Sequence, residues 1–418
     1  MRRHLSALLT SGAVELVAAT GISGGAGYLL TLLVGIEIGP AEYVSFGVLW
    51  SSLFFTVGTL NGLQQEIARA SRPTESGSGN HVVRDVVMAI TALVVVAVLS
   101  TSALWIRPVF QTDDWWLAIP LALGLAGHTV TTSLVGILHG LHRTRLVAAA
   151  VVLDGLLRFA LVLVVIQVTH SLELISLALI APYLLMPAFL WVKARQRLRA
   201  STVDVSRRVL TRQAASTLLA AAATGALVSG ISLLIAAAGR DVSASHVGAM
   251  IFSINITRAP LIIVVGALQN FIVVRLRDRA DWRRVLLLVS ALVAAVALIL
   301  TGAAAAVGPT VLGLLLHGET VTAPLVAAIV GSGGLVALMT VTGAAVLARS
   351  RHSMYTLGWL LAAFVTAVIL FAIPDFDVAI TVALLSGPVV GLAVHLGAVL
   401  LDGQTSSRGP SGRPSVAT

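Results

Sequence analysis

Arg258 lies near the middle of the apolar run from Ile251 to Arg279, which a cluster of cations closes. A guanidinium deep in an apolar helix is costly wherever lipid surrounds it, and Pro260, two residues on, removes a backbone hydrogen bond there. Both features place Arg258 against a bundle interior or a wet cavity rather than against lipid. Asn255, one short turn earlier on the same helix, can share that face. Two chemistries fit: a cavity cation that meets an anion, or a partner for a carbonyl or carboxylate at a helix break.

Asp154 and Arg158 lie four residues apart, a spacing that puts them on one helix face as an ion pair or as cavity lining. Asn61 and Gln64, with Gln65 and Glu66, gather at the end of one apolar segment, and Gln269 and Asn270 gather at the end of another. Such polar groups either gate an opening or cap helix ends. Three further residues are candidates for ion coupling. Glu15 is the one carboxylate in the first apolar segment, and it also lies near enough to the interface to snorkel. His128 and His395 titrate near neutral pH if solvated, and otherwise serve as packing groups. Gly21, Gly24, Gly25 and Gly27 form a small-residue patch suited to close helix packing, or to a hinge.

Other chemistries lack their residues. With no cysteine, thiol catalysis, disulfides and cysteine-bound metal are excluded. No Walker lysine motif, no metal-spaced His/Asp/Glu cluster and no Gly-x-Ser-x-Gly elbow occurs, so no cofactor or metal and no enzymatic activity is expected.

The elements that must position these side chains follow from composition. Of 418 residues 57% are hydrophobic and 11% charged, well under the roughly 25% charge of soluble domains. The chain is therefore an all-α polytopic membrane protein. At about 20 apolar residues per span, twelve helices fall near 12–36, 43–65, 83–106, 115–140, 146–168, 172–193, 211–238, 245–273, 285–307, 322–348, 354–373 and 378–401. The Gly/Ser/Pro-rich tail 402–418 reads as disordered. The start shows no clear small-residue cleavage site.

Twelve spans place 23 of the 27 cations on the side of the termini, Arg107 and Arg240 on the other side, and Arg158 and Arg258 within helices. The opposite side carries acids instead, among them Glu37, Glu42, Asp113, Asp114, Glu173, Asp241, Glu319, Asp375 and Asp377. That asymmetry predicts both termini in the cytoplasm, and it assigns the net charge of +9 to topology and anionic headgroups rather than to nucleic acid. The loops on the acidic side are short, which argues against a polymerase or glycosyltransferase.

The chain also repeats. Val57-Gly58-Thr59-Leu60-Asn61 is echoed by Val265-Gly266-Ala267-Leu268-Gln269, and Arg69 by Arg277, at an offset of 208. Arg143-Thr144-Arg145 is echoed by Arg349-Ser350-Arg351 at an offset of 206. Each match follows the same helix number in its half, which predicts a parallel 6+6 repeat: one lobe in 1–200, a second in 201–401, and a basic linker between them.

The run Ile38-Gly39-Pro40-Ala41-Glu42-Tyr43-Val44-Ser45-Phe46-Gly47-Val48-Leu49-Trp50 resembles the junction of the first two helices in polysaccharide-biosynthesis flippases. These are the Wzx-type members of the multidrug/oligosaccharidyl-lipid/polysaccharide superfamily, related to the MATE exporters. Leu63-Gln64-Gln65-Glu66-Ile67-Ala68-Arg69-Ala70 and Arg258-Ala259-Pro260 resemble actinobacterial-type members. The resemblance covers most of the chain by helix count and repeat, and is specific only at these motifs. It implies two six-helix lobes around a cavity that opens alternately to either side of the plasma membrane. The implied cargo is a polyprenyl-diphosphate glycan moved to the outer leaflet, and the implied partners are that lipid, membrane lipids and the glycosyltransferases or polymerase of the same pathway. Under that reading Arg258 contacts a phosphate, which a guanidinium pairs bidentately. Asn255, Asn61, Gln64, Asp154 and Arg158 are the further cavity candidates. A MATE-like cation-coupled exporter of small molecules and a non-transporting scaffold of a glycan-assembly complex are the alternatives.

Overall fold

The computed structural model describes residues 12–73, 81–110, 114–277 and 281–406; the side chains of residues 12–13, of 402–406 and of several α9 residues after Arg258 fall outside that description. The first half comprises α1 (Gly12–Ile38), α2 (Pro40–Ala70), α3 (His81–Trp105), α4 (Ala118–Gly140), α5 (Thr144–Val168) and α6 (Leu172–Arg199). The second comprises α7 (Arg207–Val228), α8 (Ile231–Ala238), α9 (Ala244–Arg277), α10 (Trp282–Leu315), α11 (Ala323–Ala348), α12 (His352–Ala372) and α13 (Phe376–Ser406). Ten of these helices are long and apolar enough to cross a membrane, and the bent pair α7–α8 makes an eleventh span. With the 34-residue α9 they form the twelve-helix, multi-pass membrane architecture.

The two halves pack by one plan. In the first lobe α1 packs on α5, α2 and α3 on α4, and α6 on α4 and α5. In the second, α7 packs on α12, α9 and α10 on α11, and α13 on α11 and α12. Each pair maps onto its counterpart six spans later, α7–α8 counting as one span. The lobes meet through α2–α7, α1–α9 and α2–α9, again a symmetric set.

Local backbone geometry fixes the register of the repeat. After α4, His142 takes φ 56° while His142 N–H bonds His139 O and Arg143 N–H bonds Leu138 O. After α11, Ser350 takes φ 58°, with Ser350 N–H on Leu347 O and Arg351 N–H on Val346 O. This left-handed helix stop recurs at an offset of 208, so Arg143 is equivalent to Arg351. The 206 offset read from the Arg-x-Arg words is corrected by two residues and joins the other echo in one register. Of that other echo, the side chains of Val265 to Leu268 and of Arg277 lie outside the described residues.

Two further expectations change. The span read as one helix over 211–238 is broken at Ser229–Gly230, where α7 and α8 meet at 58°. A Ser-Gly pair is a common place for a kink, since Gly weakens the helix and Ser competes for its carbonyls. Within the basic linker, β2 (Ser201–Val203) pairs antiparallel with β1 (Ser71–Pro73), and Arg72 meets Asp204 at 3.3 Å. Of the tail read as disordered, α13 covers the backbone to Ser406, and 407–418 lie outside the described residues.

The apolar core shows how the lobes join. Around the N-terminal ends of α2 and α9 one continuous cluster crosses between the lobes, including Tyr43, Phe46, Ile251 and Phe252. At the other end the core divides. Leu60, Ile67, Leu138 and Leu198 belong to a first-lobe cluster, whereas Ile272, Leu276 and Val341 belong to a second-lobe one. The start of α7 crosses over: Leu210 and Ala214 sit in the first-lobe cluster, while Ala223 and Leu227 pack with Met339 and Trp359.

Candidate functional site

Glycines allow the closed seam. Gly248 of α9 lies so near the carbonyl oxygen of Pro40 that no β-carbon fits between them, and Gly47 and Gly35 similarly receive Ile251 and the Phe252 ring. The Tyr43 and Phe252 rings meet edge-on at 5.2 Å. Asn255 sits at the inner end of this seam, donating to Tyr43 Oη at 3.3 Å and accepting from Ser232 Oγ of α8 at 3.3 Å. Asn255 thus ties α2, α8 and α9 together, three elements that no sequence spacing relates.

Arg258 is 3% exposed and lies against Gly333 of α11. Its Nη2 donates to the carbonyl of Leu227 at 3.3 Å, one residue short of the end of α7. Carbonyls in the last turn of a helix lack intrahelical donors, so Arg258 covers the break in the seventh span. Its Nε and Nη1 have no hydrogen-bond partner. The arginine therefore keeps guanidinium donors in hand in an apolar interior, where unmet donors are rare and costly.

A second polar cluster lies in the first lobe. Arg158 Nη2 pairs with Asp154 Oδ2 at 2.7 Å, and the guanidinium stands over the Tyr183 ring at 4.2 Å and Phe54 at 5.6 Å. His128 lies 4.6 Å from Tyr183, ring to ring, with its Nε2 3.0 Å from Thr132 Oγ1. Asp154 Oδ1, Arg158 Nε and His128 Nδ1 are buried without partners. Asp154 and Arg158 were legible from their spacing; Tyr183 and Phe54 were not, because helices distant in sequence deliver them.

The remaining candidates scatter. Asn61 is exposed and Gln64 half-buried at the far end of α2, and Gln269 Nε2 reaches Tyr355 Oη at 3.5 Å. The Asn270 side chain lies outside the described residues. Glu66, on the same end of α2, is 3% exposed; it accepts from Thr217 Oγ1 of α7 at 2.6 Å and pairs with Arg69 at 3.3 Å. Glu15 forms a surface pair with Arg145 at 3.1 Å. His395 is fully buried, 3.4 Å from Thr342 Oγ1 and 3.2 Å from the Tyr355 carbonyl, with its ring stacked on Tyr355. Of the glycine patch, Gly27 meets the Trp50 ring at 3.5 Å, whereas Gly21 and Gly25 have open space beside them. Among the described residues no group of three metal-binding side chains forms.

No family model matches the chain. An uncharacterized protein of Mycobacterium tuberculosis is 29% identical over 400 residues, covering 93% of this chain and 92% of that relative. Among solved structures, the lipid II flippase MurJ in an inward closed conformation has a TM-score of 0.69 at 8% identity, covering 93% of this chain and 87% of that one. An inward-facing multidrug resistance MATE transporter of the MOP superfamily has a TM-score of 0.66 at 12% identity, covering 91% and 95%. The chain has the fold that these two solved proteins share.

Proposed function

We propose that this protein is a membrane transporter that flips a lipid-linked saccharide, a polyprenyl-diphosphate glycan, from the cytoplasmic to the outer leaflet by alternating access. It resides in the plasma membrane with both termini in the cytoplasm, as its cation asymmetry argues. The observation that carries the reading is the divided core. The lobes fuse at the N-terminal ends of α2 and α9; at the other end the cores around α2 and α9 separate while the start of α7 stays packed on α2, the geometry of a two-lobed transporter closed at one face. The inward conformations of the two solved neighbours fit that picture.

The interior favours an anion. Arg258 is buried with its Nε and Nη1 unpartnered, and its one hydrogen bond goes to a carbonyl rather than to a carboxylate. A guanidinium in low dielectric holds a phosphate oxygen strongly. In this reading Arg258 takes the diphosphate, Asn255 shapes the closed end beside it, and Asn61 and Gln64 border the open end. Small-molecule export in the MATE manner is the second reading, supported by the MATE neighbour. Translocation of a lipid-linked oligosaccharide in vesicles, wild type against Arg258→Ala at matched protein, separates the two. Loss in the variant supports the anionic-lipid reading, equal rates make Arg258 a structural cap, and no translocation by either protein turns the assignment to export or to a scaffold.

A further inference from the structure

We propose that the first-lobe cluster is a saccharide-binding subsite that holds the glycan end of the cargo while the second lobe holds its phosphates. The inference rests on the transport reading above and adds where the sugar sits. Three buried polar atoms without partners, Asp154 Oδ1, Arg158 Nε and His128 Nδ1, belong to one cluster over the Tyr183 ring. Native interiors leave few such atoms, and three together mark a place where a polar ligand or water completes the bonding. Their types matter: a carboxylate oxygen accepts, an Arg N–H donates, and an imidazole nitrogen does either. A run of sugar hydroxyls, each both donor and acceptor, answers that mixture, whereas a phosphate offers acceptors alone and meets repulsion from Asp154.

The flanking wall suits the same ligand. Trp50 and Phe54, on one face of α2, lie ring to ring at 4.3 Å and are half-buried, and Phe54 borders the Arg158 guanidinium. Flat aromatic faces beside hydrogen-bonding groups match the apolar face and polar rim of a pyranose ring. Asp154 keeps 23% of its side chain exposed, at the edge of the cluster. Arg158 is already neutralised by Asp154, which leaves Arg258 as the better phosphate partner and divides the cargo between the lobes.

The test compares binding of two probes to purified protein: polyprenyl diphosphate alone, and the same lipid carrying glucose, galactose or N-acetylglucosamine. Wild type binds at least one glycosylated probe about tenfold more tightly than the bare lipid, the yield of one or two hydrogen bonds and a stacked ring. Trp50→Leu and Phe54→Leu each erase most of that difference while leaving bare-lipid binding unchanged, which also certifies folding. Arg258→Ala weakens both probes alike. No sugar-dependent gain with any probe, or a gain that survives both first-lobe variants, overturns the subsite. Failure of wild type to bind even the bare lipid overturns the transport reading itself.

Discussion

Gly248→Ala tests the closed seam directly. The β-carbon added there falls against the carbonyl oxygen of Pro40, a backbone atom held by the first turn of α2 rather than by a flexible side chain. The helices must separate to admit it. Overpacking of this kind costs about 1–3 kcal/mol. If α2 and α9 separate at this end in an alternative state, the substitution penalises only the closed state. The population then shifts about 5- to 150-fold towards the open one. The chain contains no cysteine, so one introduced cysteine reports without background. Val44 is 2% exposed and borders Gly248, so Val44→Cys is shielded while the seam is closed. Maleimide labelling of Val44→Cys is predicted to rise at least fivefold when Gly248→Ala is added. Gly58→Ala is the control, because nothing lies within 4 Å of its added β-carbon. Equal labelling with and without Gly248→Ala, in protein of unchanged thermal stability, would show that the seam between α2 and α9 does not open at this end.

Two substitutions test the buried polar groups. Arg158→Met leaves Asp154 without its cation in a largely buried site and is expected to cost about 3–5 kcal/mol, read as lowered thermal stability in detergent. Combining it with Asp154→Leu recovers most of the loss, and a single variant as stable as the parent contradicts the pairing. Thr217→Val removes the donor to Glu66, a hydrogen bond to a charged group worth about 1.5–3 kcal/mol. The same unfolding measurement detects it, and an unchanged midpoint shows that Arg69 alone satisfies the carboxylate.

Much of this architecture is legible in sequence because lipid imposes a length rule. Apolar runs of span length and the side preference of arginine were enough to count helices and to see two halves. Short-range chemistry was legible too: the four-residue spacing of Asp154 and Arg158 and the isolation of Arg258 in an apolar run both found buried groups. What stayed hidden depends on how helices lie side by side. The break at Ser229–Gly230 sits in an apolar, alanine-rich stretch that hydropathy reads as continuous, with the Ser-Gly pair as its one signal. Arg258, Asn255 and Glu66 each take a partner from the seventh span, Leu227, Ser232 and Thr217, and no local pattern links them. The Tyr183 and Phe54 rings around Arg158 arrive the same way. Glu66 and Thr217 were thus missed as a pair, although Glu66 itself stood among the polar residues ending α2.

Carriage of a lipid-linked saccharide across a bilayer is the activity proposed for the two lobes. Its most direct test reconstitutes the purified wild-type chain in vesicles with a fluorescent polyprenyl-diphosphate glycan and follows the glycan's exposure to a membrane-impermeant reagent outside. Exposure is expected to exceed that in protein-free vesicles and to fall when Gly248→Ala disfavours the closed state. Exposure no faster than in protein-free vesicles, from protein that is folded and correctly inserted, contradicts it.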